Sequence, residues 1–163
     1  MNNKSVDVVV KINGKQYERR IPTRMLLSDF VRQECNLTGT HVACEHGVCG
    51  ACNVLVDGKT ARSCLMFAVQ AQGAEIETVE SLAKNDEMHP LQQAFWEKHG
   101  LQCGFCTPGM LLTAKELLDA NPNPTREEVT EAISGNLCRC TGYQTIIDSI
   151  MLAAEKMRQK ETV

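Results

Sequence analysis

The apolar positions follow two rhythms, and the change comes near residue 81. Residues 6–12 are rich in Val and Ile and alternate in the manner of a strand. Asn13-Gly14 follows, the dipeptide of a tight hairpin, and residues 15–21 return as a second strand. Residues 26–34 place Leu27, Phe30 and Val31 on one helical face. Residues 53–56 read as a third strand, Asp57-Gly58 as a turn, 59–63 as a fourth strand and 75–79 as a fifth. This half predicts a small mixed sheet crossed by a helix.

Beyond residue 81 the period becomes helical. His89-Pro90 opens a helix that reaches residue 98, and His99-Gly100 ends it. Thr107-Pro108 reads as an N-cap with proline at the first helical position, starting a helix to residue 119. Asn121-Pro122-Asn123-Pro124 breaks the chain. Thr125-Arg126-Glu127-Glu128 is a capping-box pattern that starts a third helix, to residue 134. A fourth runs over 143–158 with Ile146, Ile147, Ile150 and Leu152, and residues 159–163 read as a fraying tail. The expected fold is α+β: a small sheet domain over 1–80 and a four-helix domain over 81–163. The linker falls within the charged stretch 80–88.

The chain has 163 residues, so two such domains are each small and need staples. Nine cysteines supply them. A formal net charge of -3 provides no basic field for nucleic acid or anionic lipid. No apolar run is long enough to span a bilayer, and the first residues lead into a strand with no signal-peptide pattern. The expected compartment is the cytoplasm, where clustered cysteines stay reduced and bind metal.

Cys44, Cys49 and Cys52 stand as C-x4-C-x2-C, and Cys64 follows after eleven residues. That is the plant-type ferredoxin spacing for four thiolates on one [2Fe–2S] cluster, so the domain over 1–80 is expected to be ferredoxin-like (β-grasp). Gly47 and Gly50 allow the chain to curl, so that backbone N–H groups can point at sulfur. Zinc or disulfides are the alternative, although structural zinc favours short paired hooks over this spacing. Cys103-Gly104-Phe105-Cys106 and Cys138-Arg139-Cys140 each precede a predicted helix, whose N-terminus favours negative charge. Zinc is an alternative here too, but a one-residue gap such as Cys138-x-Cys140 is unusual for it. Cys35 is left over, a small apolar residue of the first helix. His46 reads as a surface residue beside four thiolates that already fill the site. His41, His89 and His99 read as structural or solvated. Arg139 is either functional through its charge or paired at the surface. Met66, Phe67, Leu111 and Leu112 read as core or interface. No nucleophile elbow, phosphate loop or Ser/His/Asp set is present. Two one-electron centres in a small chain suit an electron relay.

The chain resembles, over essentially its whole length, the small iron–sulfur subunit of the molybdenum hydroxylase (xanthine oxidase) family. The resemblance rests on Cys44-x4-Cys49-x2-Cys52-x11-Cys64, on residues 102–109 (QCGFCTPG) and on residues 135–143 (GNLCRCTGY). It is nearest to free small chains such as those of carbon monoxide dehydrogenase, quinoline oxidoreductase and nicotine or nicotinate dehydrogenases. It implies a heterotrimer, often doubled to (αβγ)2, with a large molybdopterin subunit and a medium FAD subunit. Electrons would pass from molybdopterin through two [2Fe–2S] clusters to FAD. By the same resemblance Cys103, Cys106, Cys138 and Cys140 hold the pterin-side cluster, and Cys44, Cys49, Cys52 and Cys64 the flavin-side one. Gln102 matches a residue that hydrogen-bonds the pterin, and Cys140 lies close to the pterin amino group. Asn53 stands where many relatives have threonine, and reads as a strand residue without a special role. The rival readings are an independent two-cluster ferredoxin, which should show a strongly charged docking face, and a structural protein with two zinc sites.

Overall fold

The computed structural model describes residues 4–161. Five strands, β1 (Ser5–Ile12), β2 (Lys15–Pro22), β3 (Asn53–Val56), β4 (Lys59–Arg62) and β5 (Glu75–Glu77), form one mixed sheet in the order β2-β1-β5-β3-β4. β1 runs parallel to β5, with Ile12 opposite Ile76; the other pairings are antiparallel. Both hairpin turns follow from their dipeptides. Asn13-Gly14 has φ of 52° and 78°, and Asp57-Gly58 has 49° and 79°, the doubly positive φ that suits the twist of paired strands.

The expected helix over 26–34 is present in altered form. One α turn, α1 (Leu27–Asp29), widens into a π turn over Phe30–Glu34, where the Cys35 N–H reaches back to the Phe30 carbonyl at 3.1 Å. Leu27, Phe30 and Val31 are all fully buried against Val8, Val10, Ile12, Ile21 and Ile76. Four helices follow: α2 (Pro90–Glu97), α3 (Thr107–Ala120), α4 (Arg126–Ala132) and α5 (Gln144–Glu161). α5 continues past residue 158, where fraying was expected; residues 162 and 163 lie outside the described residues. The capping box of α4 is made as its sequence implies. Thr125 Oγ1 accepts from Glu128 N–H at 3.2 Å, and the Glu128 carboxylate accepts from Thr125 N–H at 2.6 Å. The start of α3 differs by one residue. Cys106, not Thr107, is the N-cap, because its carbonyl already accepts from Met110 N–H at 3.0 Å.

There are two hydrophobic cores, and β3 divides them. Val54 faces the core under α1, while its neighbour Leu55 packs with Met110, Leu112, Phe95, Ile146 and Ile150 of the helices. The strand period of two therefore buries both faces of β3. Within the expected linker, Leu82 is buried in the helical core and residues 83–88 are exposed.

Candidate metal centres

The loop between the π turn and β3 wraps around Cys44, Cys49 and Cys52. Arg32 ties down its approach by donating to the carbonyls of Thr38 (2.8 Å) and Thr40 (2.7 Å). Glu45, Gly47 and Gly50 take φ of 55°, 83° and 73°, which turns the amides between them inward. Cys49 N–H lies 3.5 Å from Cys44 Sγ. That N–H, with those of His46 and Val48 and the Cys49 thiol, lowers the Cys44 thiol to about 6. Cys64, in the 3-10 turn Ser63–Leu65 after β4, is buried beside Cys52. Burial first, then the Cys52 thiol, push it up to about 11.

The helical site is built the same way. Cys103 and Cys140 are exposed, with their sulfurs 3.5 Å apart. Cys106 and Cys138 lie deeper. Burial and the neighbouring Cys138 thiol push Cys106 up to about 12. Burial also raises Cys138, but the Thr141 hydroxyl, 3.2 Å from its sulfur, and the N–H groups of Cys140 and Thr141 outweigh that and leave it low. Cys138 N–H donates to Tyr143 Oη at 2.8 Å. Gln102 bridges the two cysteine segments, its Nε2 donating to the Cys140 carbonyl at 3.1 Å. His46 is exposed, its Nδ1 on the Cys44 carbonyl. His41 reaches the other lobe: its ring stacks on Phe105 at 4.8 Å and its Nδ1 meets the Phe105 carbonyl at 2.8 Å. Cys35 is buried in the N-terminal core, outside both sites, and burial raises its thiol to about 11.

The donors suit iron–sulfur chemistry. The eight thiols fall into four side-by-side pairs, and a pair of thiolates is a ready ligand set for one cation. Among the described residues no three His, Cys, Asp or Glu side chains converge on a single ion. Two thiolates per iron is the demand of a two-iron centre. Thr107 Oγ1, next to Cys106, is buried without a hydrogen-bond partner, a donor suited to an anionic sulfur centre.

Residues 10–83 match the 2Fe-2S iron-sulfur cluster binding domain, and residues 78–151 match the [2Fe-2S] binding domain. The chain is 58% identical over 146 residues to the caffeine dehydrogenase subunit gamma of Pseudomonas sp. (strain CBB1), covering 88% of this chain and 87% of that one. It is 51% identical over 155 residues to the nicotine 6-hydroxylase small subunit of Paenarthrobacter nicotinovorans, covering 95% and 93%. The chain belongs to the small iron–sulfur subunits of the molybdenum hydroxylase family. In the solved quinoline 2-oxidoreductase of Pseudomonas putida 86, a chain 51% identical superposes with a TM-score of 0.92, covering 96% of this subunit and 98% of that chain.

Sequence reasoning missed what joins the two lobes of this small subunit. Asn53, 1% exposed, crosses the junction: its Nδ2 donates to Thr113 Oγ1 (2.8 Å) and to Asn136 Oδ1 (3.3 Å). This corrects its reading as a strand residue without a special role. Arg62 donates to Asn53 Oδ1, to the Gly47 carbonyl in the N-terminal cysteine loop (3.1 Å), and to the Gly135 carbonyl across the junction (2.7 Å). Cys49 accepts at its carbonyl from Leu137 N–H at 2.8 Å, which links the two cysteine loops directly. Gly109 is pressed so close that a Cβ there would stand 2.2 Å from the Gly50 carbonyl oxygen. Of these residues, only the glycines carry a sequence signal that hints at close approach.

Proposed function

We propose that this chain relays single electrons through two [2Fe–2S] clusters, from a molybdopterin-bearing large subunit to an FAD-bearing medium subunit. When bound, such a cluster takes up and gives back one electron. Cys44, Cys49, Cys52 and Cys64 would hold the flavin-side cluster, with Cys44/Cys49 on one iron and Cys52/Cys64 on the other. Cys103, Cys106, Cys138 and Cys140 would hold the pterin-side one, paired Cys103/Cys140 and Cys106/Cys138. The domains divide as 1–80 and 81–163, which accords with the two separate cores. One observation carries the reading: the loops that bear the two sets of cysteines meet through the Cys49 carbonyl and the Leu137 N–H.

The chain's own residues shape both ends of that path. Exposed Leu101 and Phe105 flank the outward pair Cys103/Cys140, where Gln102 and Cys140 would meet the pterin. Exposed Val48, Leu65 and Phe67 flank the other site. Apolar surface of this kind marks contact with partner chains. Among the described residues no helix is long and apolar enough to cross a membrane. Eight thiols that must stay reduced to bind iron favour the cytoplasm.

The test is analysis of the native complex. The chain should co-elute with two larger subunits, with about four irons per copy, and with molybdenum and flavin in the same peak. Elution of the chain alone, or a colourless zinc-bearing protein, would refute the reading.

A further inference from the structure

We propose that Arg62 is a positioning residue of the N-terminal cluster site, whose charge raises the reduction potential of that cluster. This rests on the ligand reading above. The motivating observation is a cation with no counter-charge. Arg62 is partly buried, and all three of its recorded acceptors are neutral oxygens: Gly47 O, Asn53 Oδ1 and Gly135 O. Among the described residues it makes no ion pair. Glu116, which reaches the same strand from α3, is already held by Thr60 N–H (2.8 Å) and Lys59 (3.5 Å). A guanidinium taken partly out of water normally finds a carboxylate, because its desolvation is costly otherwise.

On the ligand reading, the anion that Arg62 would serve is the N-terminal cluster, whose loop it grips. Arg62 lies two residues before Cys64, it is bonded to Asn53, which follows Cys52, and it grips Gly47 between Cys44 and Cys49. Its fork thus touches the chain segments of all four N-terminal cysteines. Four thiolates, two sulfides and two ferric ions sum to a dianion. Accepting one electron makes a trianion, and no proton needs to move at Arg62, which stays charged throughout. A fixed cation favours the trianion over the dianion, so reduction becomes easier. The same fork reaches Gly135 in the helical lobe, so the residue that tunes the site also fixes where the second lobe sits.

The experiment is a redox titration of the purified complex, with dithionite as reductant and the two cluster signals followed by electron paramagnetic resonance. Cys44→Ser or Cys140→Ser, whichever variant retains protein, assigns the signals to the sites. In Arg62→Gln the reduced-to-oxidised ratio of the N-terminal cluster, at a fixed potential, should fall about tenfold, a shift of about 59 mV for one electron. The helical cluster should move less. Arg62→Lys keeps the charge and loses the fork, and should shift the ratio by less than about threefold, or about 30 mV. Should Arg62→Gln lose iron, Arg62→Met is read instead: it removes the charge, keeps the side-chain length and should lower the same potential. Equal shifts in Arg62→Gln and Arg62→Lys would reduce Arg62 to a tether, and native potentials in Arg62→Gln or Arg62→Met would remove its charge role; either result overturns the proposal. A native complex with fewer than about four irons per chain would instead break the ligand reading beneath it.

Discussion

Asn53→Ala should make the clusters far easier to lose while leaving them chemically intact. Asn53 contributes two of the hydrogen bonds across the lobe junction, to Thr113 (2.8 Å) and Asn136 (3.3 Å). A buried neutral hydrogen bond stabilises by about 1 kcal/mol net, so the pair is worth about 2 kcal/mol. The bond from Arg62 to Asn53 is lost as well, but it lies within the N-terminal lobe, and Arg62 keeps its own bond across the junction to the Gly135 carbonyl. Thr113 also keeps a partner, the Gly109 carbonyl at 3.0 Å. If cluster loss passes through parting of the lobes, about 2 kcal/mol quickens it roughly 30-fold. The assay is the half-life of the visible absorbance of the complex in a fixed, sub-denaturing concentration of urea. Thr113→Val in the Asn53→Ala background should add less than it does alone, by about 1 kcal/mol of coupling. Bleaching of Asn53→Ala at the native rate would show that the junction is not what retains the clusters, and the reasoning would fail.

Gly109→Ala gains helix propensity of about 1 kcal/mol but drives a methyl into the Gly50 carbonyl, 2.2 Å from the Cβ position. It should lower the thermal midpoint, whereas Gly58→Ala, which meets open space and only the strain of φ +79°, should leave the two cluster signals unaltered. Cys35→Ser should keep both signals and lose about 1–3 kcal/mol of stability from a buried hydroxyl; loss of a signal would refute the ligand assignment. Cys140→Ser should abolish the helical signal and stop turnover while the complex still binds substrate, and unchanged turnover would refute the relay. Urea midpoints should fall with acid through His89. Its pKa is lowered, by burial and then by Lys115, and its Nδ1 caps α2 by accepting from Leu91 N–H at 3.2 Å. The unfolded chain therefore binds the proton first, so this stability is present above about pH 6.5 and is lost as pH falls through the lower folded value. His89→Asn keeps a cap without a proton to gain, and should flatten that slope; an unchanged slope would place the effect elsewhere.

What was legible in the sequence was local. Asn13-Gly14 and Asp57-Gly58 dictate their turns through backbone conformation alone, and Thr125 with Glu128 closes a capping box within three residues. The cysteine spacings, too, are short-range facts about how far a loop can curl. The π turn at Phe30 was not legible, because α and π turns bury the same Leu27, Phe30 and Val31 and differ only in a hydrogen bond. The junction was the least legible of all. Asn53 and Asn136 are 83 residues apart, and Arg62 and Gly135 are 73 apart; no periodicity connects them.

That long-range junction is also what the proposed chemistry requires. Each cysteine site could be assembled by its own lobe: Cys64 returns to Cys52 along a β-hairpin, and Cys138 to Cys106 through α3 and α4. Neither lobe alone sets the distance between the sites. That distance is set where side chains give way to backbone, with Gly109 on Gly50 and Leu137 N–H on the Cys49 carbonyl. Backbone contacts of this kind do not change rotamer, so the spacing is held more rigidly than long side chains could hold it. Asn53 and Arg62 then close the remaining polar groups around that contact. A substitution that widens the junction should therefore slow electron passage between the sites before it weakens either one. Freeze-quenched Gly109→Ala complex, reduced by substrate, would test this: the helical signal should appear at the native rate and the N-terminal signal should lag behind it. Synchronous appearance, with the methyl in place, would mean that the spacing of the lobes does not govern transfer.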